Sequence, residues 1–412
     1  MHDDGHAPAP QLPSRLARVG EVLGTFASLG MTSFGGPIAH LSHFRERCVR
    51  QLRWVDDAQY AQLVAYCHAL PGPTSSQVGF LLGWGRAGPA GAVAAWLAFT
   101  APSAAVMITL AVALGASADI STSGWIAGMK AIVPAVVLHA TTGMARTLCH
   151  GPARIGIAMA AGGIALAWDH PLDQIAAIAT GALIGAAILQ RPGAREPMPV
   201  AHPLRISRIE AIACLALLSI TLVAAVVAHS DRITPYVSAG ALVFGGGHVV
   251  LPLLEADLVP GTVDQSRFLA GYGAAQAVPG PLFTVASYLG ASSAARSGDS
   301  ASTAAMWGAV STIAIFAPGL LLAACAWPAW ASLSRTSGAM RALAGVQAAV
   351  TGLLAAALIQ IVVPASVAPS GRPDLWLCAI AATAFVALRW GAPAWIVTVG
   401  GSLLGAAIAA LR

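Results

Sequence analysis

Apolar residues in this chain run in long uninterrupted segments, not in the short amphipathic stripes of a soluble fold. They occupy about 22–36, 58–70, 73–85, 90–115, 124–148, 155–168 and 174–190, then 209–229, 236–254, 268–278, 281–295, 301–330, 338–363, 375–388 and 393–411. The longer runs reach the ~20 residues that carry a helix across a bilayer. A polar stretch rich in Pro and Arg, Arg191 to Arg208, separates the two groups. The pattern predicts an all-α polytopic membrane protein.

Two motifs interrupt the runs, and each occurs twice. Phe34-Gly35-Gly36-Pro37 is followed by Leu70-Pro71-Gly72-Pro73, and Phe244-Gly245-Gly246-Gly247 by Val278-Pro279-Gly280-Pro281. Aligned on these motifs, the halves also match Phe99-Thr100-Ala101-Pro102 to Ile315-Phe316-Ala317-Pro318, and Gly128-Met129-Lys130-Ala131 to Ala339-Met340-Arg341-Ala342. Segment 209–229 is left without a partner. The expected organisation is a disordered cytoplasmic tail at 1–20, a transporter repeat at 21–190, and a cytoplasmic linker at 191–208. An inverting transmembrane helix at 209–230 and a second repeat at 231–412 follow. The first twenty residues, with Pro8, Pro10 and Pro13, lack the apolar core of a cleavable signal.

Charges assign sides, because Lys and Arg concentrate in cytoplasmic loops. Arg15 and Arg18 precede the first FGG motif, and Arg45, Arg47, Arg50 and Arg53 follow it. Both flanks read as cytoplasmic, so this segment and the PGP segment, bracketed by Arg53 and Arg86, are expected to enter and return. Arg86, Asp119, Arg146 with Arg154, Asp169 with Asp173, and Arg191 then alternate in and out. In the second half the equivalent of the Arg-rich loop carries Glu255, Asp257 and Asp264. That switch suggests inverted-topology repeats with nine crossings, four re-entrant or broken elements, the N-terminus inside and the C-terminus outside. Arg267, Arg296 and Arg372 fall outside against the rule. Every apolar segment crossing is the competing arrangement.

Composition agrees. Hydrophobic residues make up 57% and charged residues 9%, against about 25% charge in a soluble domain. The 43 Gly and 26 Pro suit membrane helices whose neighbours re-satisfy the backbone. The net charge of +5 follows from loop arginines and does not point to nucleic acid. The six Cys are scattered with no CxxC pair, so no metal or disulfide role is expected. No cofactor is implied.

Lipid offers no hydrogen bonds, so an irregular backbone inside an apolar run must be buried in protein or line a wet cavity. Gly72 permits a sharp turn, and Pro73 suits the first position of a helix. The helix that follows opens Thr74-Ser75-Ser76-Gln77. Its free N–H groups and positive dipole end make an anion site of mostly neutral donors. After Pro281 the chain reads Leu282-Phe283-Thr284-Val285, so the two breaks differ. The first half is expected to supply the anion ligands, and the second apolar walls and closure. A Pro/Gly kink that only packs is the plainer reading. His40, His43, Arg47 and Arg50 share one face of a helical wheel, as an interfacial helix or a cationic vestibule. Lys130 and Arg341 occupy matching places in apolar runs and are charge-balancing candidates or helix-end markers.

With these motifs the chain resembles the chromate ion transporter (CHR) family, long two-domain type, over about residues 21–411. The residues carrying the resemblance are Ser33-Phe34-Gly35-Gly36-Pro37-Ile38-Ala39-His40, Leu70 through Gln77, and Gln276-Ala277-Val278-Pro279-Gly280-Pro281. It implies export of chromate from the bacterial cytoplasm across the inner membrane and chromate resistance, with sulfate a close analogue. The family commonly has Gln before the first PGP, where this chain has His68; the second half keeps Gln276. The substrate-binding candidates are therefore Phe34, Gly35, Gly36, Pro37, His40, His68, Pro71, Gly72, Pro73, Thr74, Ser75, Ser76, Gln77, Gly245, Gly246, Gln276, Pro279, Gly280 and Pro281. Expected partners are chromate, the lipid bilayer, sulfate or another oxyanion as the alternative substrate, and protons as a coupling ion; a homodimer stays open. No P-loop appears, and no GxSxG, HExxH or intramembrane Asp pair argues for an enzyme.

Overall fold

The computed structural model describes residues 14–115, 123–168, 173–190, 204–228, 230–244, 247–366 and 375–411. The candidates Gly245 and Gly246 lie outside the described residues. So do 1–13 of the expected tail, 191–203 of the expected linker, and Asp119, Asp169, Arg191 and Arg372 from the sidedness reading.

Among the described residues there are sixteen α-helices and no strand. The first set comprises α1 (Arg15–Thr32), α2 (Gly36–Phe44), α3 (Asp57–Ala69), α4 (Thr74–Gly115), α5 (Gly124–Leu148), α6 (Pro152–Ala167) and α7 (Asp173–Ile188). α8 (Arg208–Ala228) stands alone. The second set comprises α9 (Thr234–Leu242), α10 (Val250–Leu258), α11 (Gln265–Ala277), α12 (Val285–Arg296), α13 (Ala301–Leu333), α14 (Ser337–Ser366), α15 (Leu375–Arg389) and α16 (Ala394–Leu411). Six helices are long and apolar enough to cross a membrane: α4, α5, α8, α13, α14 and α16. Three shorter apolar helices, α6, α7 and α15, accompany them. The protein is a multi-pass membrane protein.

Local chemistry sets the helix starts. Ser14 accepts from the Ala17 amide at 3.2 Å, so α1 begins at Arg15, inside the stretch expected to be tail. Asp56 and Gln59 form a capping box at α3. Asp264 caps α11 from the equivalent position.

α4 is a hairpin, not a straight helix. Ala87 and Gly88 leave helical geometry, with Gly88 at φ +70°. The arm 74–86 then folds back on the arm 89–115, and Gly83 lies so close to Ala95 that a Cβ there would sit 2.7 Å from the Ala95 side chain. α12 and α13 form the same hairpin as two helices, with Gly290 against the Trp307 carbonyl. At the α4 bend, Arg86 donates to Glu21 at 2.6 Å and Trp54 donates to Glu21 at 3.0 Å. Burial opposes ionisation there, but these bonds win and hold the Glu21 carboxyl below its usual range.

The two sets interlock. α6 and α7 pack on α14, while α15 and α16 pack on α5. Both interfaces are glycine seams. A Cβ on Gly185 would lie 2.7 Å from the Gly345 Cα, and one on Gly405 would lie 2.6 Å from the Gly128 Cα. Small residues spaced four apart let membrane helices approach this closely. The ends of the hairpins are also informative. The arm 74–86 ends beside residue 89, whereas α12 ends with Ala295 against Gly115, at the far end of the arm 89–115. At 1.5 Å per residue those two ends are separated by about 40 Å.

Candidate functional site

The chain breaks at both motifs where glycine allows it. Gly35 (φ +99°) and Gly36 (φ +73°) separate α1 from α2, Gly72 (φ +124°) separates α3 from α4, and Gly280 (φ +106°) separates α11 from α12. Each PGP turn is then held by the FGG break of the other half. The Gly72 amide donates to the Val243 carbonyl at 2.6 Å, and the Gly280 amide donates to the Ser33 carbonyl at 3.0 Å. Ser33 and Val243 directly precede Phe34 and Phe244, so the two bonds occupy equivalent positions.

Both turns sit at mid-height of long helices. A Cβ on Gly280 would lie 2.7 Å from Ser103 Oγ and 3.5 Å from the Phe99 carbonyl. One on Gly72 would lie 2.8 Å from the Gly319 Cα. Ser103 and Gly319 follow Pro102 and Pro318, which fall halfway along the arm 89–115 and α13.

At the first PGP turn the Gln77 amide donates to the Pro73 carbonyl at 2.9 Å, starting the helical ladder. The amides of Thr74, Ser75 and Ser76 lie ahead of that ladder. All three residues are buried, with exposures of 4%, 4% and 2%. His40 is 1% exposed and places Nδ1 3.2 Å from Ser75 Oγ. Its ring meets Phe99 edge-on at 5.2 Å. The buried atoms His40 Nε2, Ser76 Oγ and Thr100 Oγ1 have no protein partner. Because Gly83 faces Gly91 and Ala95 across the α4 hairpin, its antiparallel register brings Ser76 level with Thr100. Burying polar groups without a partner is costly, so a cluster of them at one level marks a place for a polar ligand.

The second half replaces these groups with apolar ones. Leu282, Phe283 and Val250 stand where Thr74, Ser75 and His40 stand, and Phe316 stands where Thr100 stands. Phe283 and Phe316 pack with ring centroids 5.6 Å apart. Thr284 spends its hydroxyl on the Pro281 carbonyl at 2.9 Å.

Other candidates fall elsewhere. Gln77 does not turn its amide nitrogen to a ligand: Nε2 donates to the Pro71 and Gly319 carbonyls at 2.8 and 2.9 Å. Only Oε1, an acceptor, is left buried without a partner. Phe34 packs on Trp395 with ring centroids 5.3 Å apart and the planes tilted by 45°. Pro37 begins α2. His68 is exposed, and its carbonyl accepts from Gln347 at 3.3 Å. Gln276 keeps a buried Nε2 without a partner beside the second turn. Lys130 reaches Ser266 Oγ at 3.2 Å; Ser266 lies at the start of α11, about 18 Å along the helix from the second break. Arg341 lies about 9 Å along α14 from Gln347, toward the α14 start. Lys130 is not brought to a PGP turn, whereas Arg341 keeps a buried Nε without a partner on α14.

Of the basic face expected of His40, His43, Arg47 and Arg50, His40 is withdrawn, while the other three are exposed. Residues Arg45–Gln51 wind as a π-helix, which breaks the 3.6-residue period. His40 turns inward, while Arg45 pairs with Asp57 at 2.7 Å and Arg47 bonds Gln51 at 2.8 Å. Among the described residues no group of three His, Cys, Asp or Glu could hold a metal. Thr100, Ser103 and Gly319 belong to the site and were not singled out from sequence, although the repeated Ala-Pro pair beside them was visible.

A family model described as chromate transporter matches residues 20–186 and again 233–406. A probable chromate transport protein of Synechococcus elongatus is 26% identical over 344 residues, covering 81% of this chain and 82% of that protein. A chromate transport protein of Pseudomonas aeruginosa is 25% identical over 356 residues, covering 83% and 80%. An uncharacterized transporter of Methanocaldococcus jannaschii is 22% identical over 344 residues, covering 82% of each. No solved structure gives a significant match.

Proposed function

The chain belongs to the chromate transporter family, and from that premise we propose that it exports chromate from the cytoplasm across the inner membrane of a bacterial cell, conferring chromate resistance. The observation that carries this reading is the buried first PGP turn. There Thr74, Ser75, Ser76 and His40 are all buried, His40 touches Ser75, and the Ser76 hydroxyl and His40 Nε2 have no partner, which supports a polar ligand among membrane helices. Helix N-termini and hydroxyls can replace the hydration of a tetrahedral oxyanion. Without a fixed Arg or Lys they do not hold it too tightly to release. The apolar pair Phe283 and Phe316, packed on each other at the equivalent positions of the second half, would serve as the site's wall.

Inverted repeats would give such a site access from either side. Two observations support them. The hairpin ends at residue 86 and Ala295 lie at opposite ends of the arm 89–115. Asp257, after the second FGG break, lies within electrostatic range of Asp173 at the start of α7, which the charge pattern places outside. The reading keeps nine crossings, with α8 as the inverting helix, the N-terminus inside and the C-terminus outside.

A dianion leaving a negative-inside cell gains about 2.3 kcal/mol per charge per 100 mV, or roughly 4.6 kcal/mol for two charges. Export therefore needs no ATP, whereas uptake would need coupled cations. Sulfate or another oxyanion remains the alternative cargo, because neutral donors read shape and charge more than the central atom. Chromate and sulfate flux into everted membrane vesicles tests both direction and substrate. Chromate accumulation inside them is expected, with Ser75→Ala plus Ser76→Ala lowering it at least tenfold; unchanged kinetics in that double variant would remove the site.

A further inference from the structure

We propose that His40 takes up one proton when the oxyanion binds, so that proton and anion cross together as a unit of one net negative charge. This rests on the anion-site reading above and deepens it.

The geometry isolates His40. It lies on α2, fully enclosed, with Nδ1 against Ser75 Oγ, the Ser33 backbone carbonyl close to the ring, and no hydrogen bond of ordinary geometry at Nε2. The elements packed on α2 bring no fixed charge to it. On the π-helical turn, Arg45, Arg47 and Arg50 are exposed and engaged with Asp57, Gln51 and Glu46. On α1 the charged Glu21 lies about 18 Å along the helix from Ser33, tied to Arg86 of α4. The nearest titratable neighbour is His43 on the same helix, which is exposed and bonds Ser33 Oγ at 3.1 Å. Lys130 on α5 and Arg341 on α14 are not on the elements packed against α2, and His68 is exposed.

Two physical arguments then agree. The desolvation cost of a buried ion rises with the square of its charge, so a dianion neutralised by one proton costs about a quarter as much to enclose. The hydrogen-bond count points the same way. A neutral imidazole and the Ser75 hydroxyl hold two hydrogens, one of which is used between them. An imidazolium with the same hydroxyl holds three, leaving two for the anion. The proton thus supplies both a charge and a donor where the helix end receives the ligand. When the anion departs, a buried imidazolium loses its counter-ion and the proton leaves with it. This is co-transport. An inside-alkaline proton gradient would oppose export, and the membrane potential would act on one charge instead of two.

The test is chromate titration of the purified full-length protein in weak buffer at about pH 8, where free chromate is the dianion, with a pH indicator counting protons. Affinity is read in the same titration. The expected result is uptake of close to one proton per chromate bound, falling to near zero in His40→Asn, which keeps an amide donor but does not titrate. Chromate binding without proton uptake overturns the inference and leaves the anion site standing. Undiminished uptake in His40→Asn also overturns it, because the proton then rides on the ion. No chromate binding by the wild-type protein removes the site and the inference together. Everted vesicles clamped at zero potential check the direction without a variant. Chromate accumulation is expected when the medium is acidic relative to the lumen, and accumulation only under the opposite gradient would mean antiport.

Discussion

The Gly280 amide donates to the Ser33 carbonyl across 3.0 Å, so the second half's PGP turn is fastened to the first half's FGG break. Gly72 and Val243 repeat the bond in the other direction. Each turn also abuts the residue after a mid-helix proline, Ser103 beside Gly280 and Gly319 beside Gly72. The four breaks therefore form two crossed pairs, and neither half completes its own.

Substitution at the two turn glycines should have unequal remedies. Gly280 has φ +106°, and a Cβ there would lie 2.7 Å from Ser103 Oγ. Gly72 has φ +124°, and a Cβ would lie 2.8 Å from the Gly319 backbone. Gly280→Ala and Gly72→Ala should each destabilise by about 1–3 kcal/mol from the backbone alone. Adding Ser103→Gly should recover part of the loss in Gly280→Ala, because a side chain can be removed. In Gly72→Ala the Cβ would also lie 2.6 Å from Gln77 Nε2, but trimming Gln77 leaves the Gly319 Cα at 2.8 Å and removes two hydrogen bonds. Thermal melting in detergent decides this, and a Gly280→Ala protein melting like wild type would contradict it.

Gln77 should matter more for holding the first turn than for touching the cargo. Its Nε2 satisfies the Pro71 and Gly319 carbonyls, one on the turn and one on α13. Gln77→Leu removes the donor from both, at about 1–3 kcal/mol for the Pro71 carbonyl in the turn, while the Gly319 carbonyl keeps its place within α13. Gln77→Glu should be at least as damaging, since it presents only acceptors to two carbonyls. Val285, the equivalent residue in the second half, makes no such bond, so Val285→Leu should shift the melting temperature far less. Comparable shifts for Gln77→Leu and Val285→Leu would refute the bracing role.

Much of this architecture could be read from the chain, for reasons that are local. Gly72 and Gly280 mark turns because glycine alone enters their backbone region freely, and the apolar runs mark helices because lipid requires them. The crossed pairing could not be read. Nothing near Gly280 names Ser33 as its partner, since the bond joins residues far apart in sequence. A 3.6-residue period puts His40 on a basic face, but the π-helical turn at Arg45–Gln51 does not keep that period. Lys130 looked central in an apolar run, yet it lies two turns into α5 and reaches the start of α11.

The glycine seams should respond alike, because each lets two helices approach with backbone against backbone. Gly128 meets Gly405 between α5 and α16, and Gly345 meets Gly185 between α14 and α7. Valine at either position needs room that backbone occupies within 3 Å. Overpacking of this kind costs about 1–3 kcal/mol. Gly128→Val and Gly345→Val should therefore lower the melting temperature by similar amounts. Gly143, which has nothing within 4 Å of a Cβ, should accept alanine without loss. A seam variant as stable as wild type would show that the helices slide apart at no cost.

Sidedness is the sharpest consequence of the inverted reading. Arg50 follows the first FGG break and Ala256 follows the second, and both are exposed. If the repeats are inverted, cysteine at 50 reacts with an impermeant maleimide only from the cytoplasmic face, and cysteine at 256 only from the other. The six native cysteines must be replaced first, which Cys48 and Cys67 will resist because both are fully buried; alanine leaves a small cavity there, whereas serine buries a hydroxyl. Labelling of intact cells against everted vesicles then reads each position. The proximity of Asp257 to Asp173 predicts that position 256 shares its side with the start of α7, so Gln174→Cys serves as an internal marker. Positions 50 and 256 reacting from one face would exclude inversion, and with it the account of how a single buried site opens to both sides of the membrane.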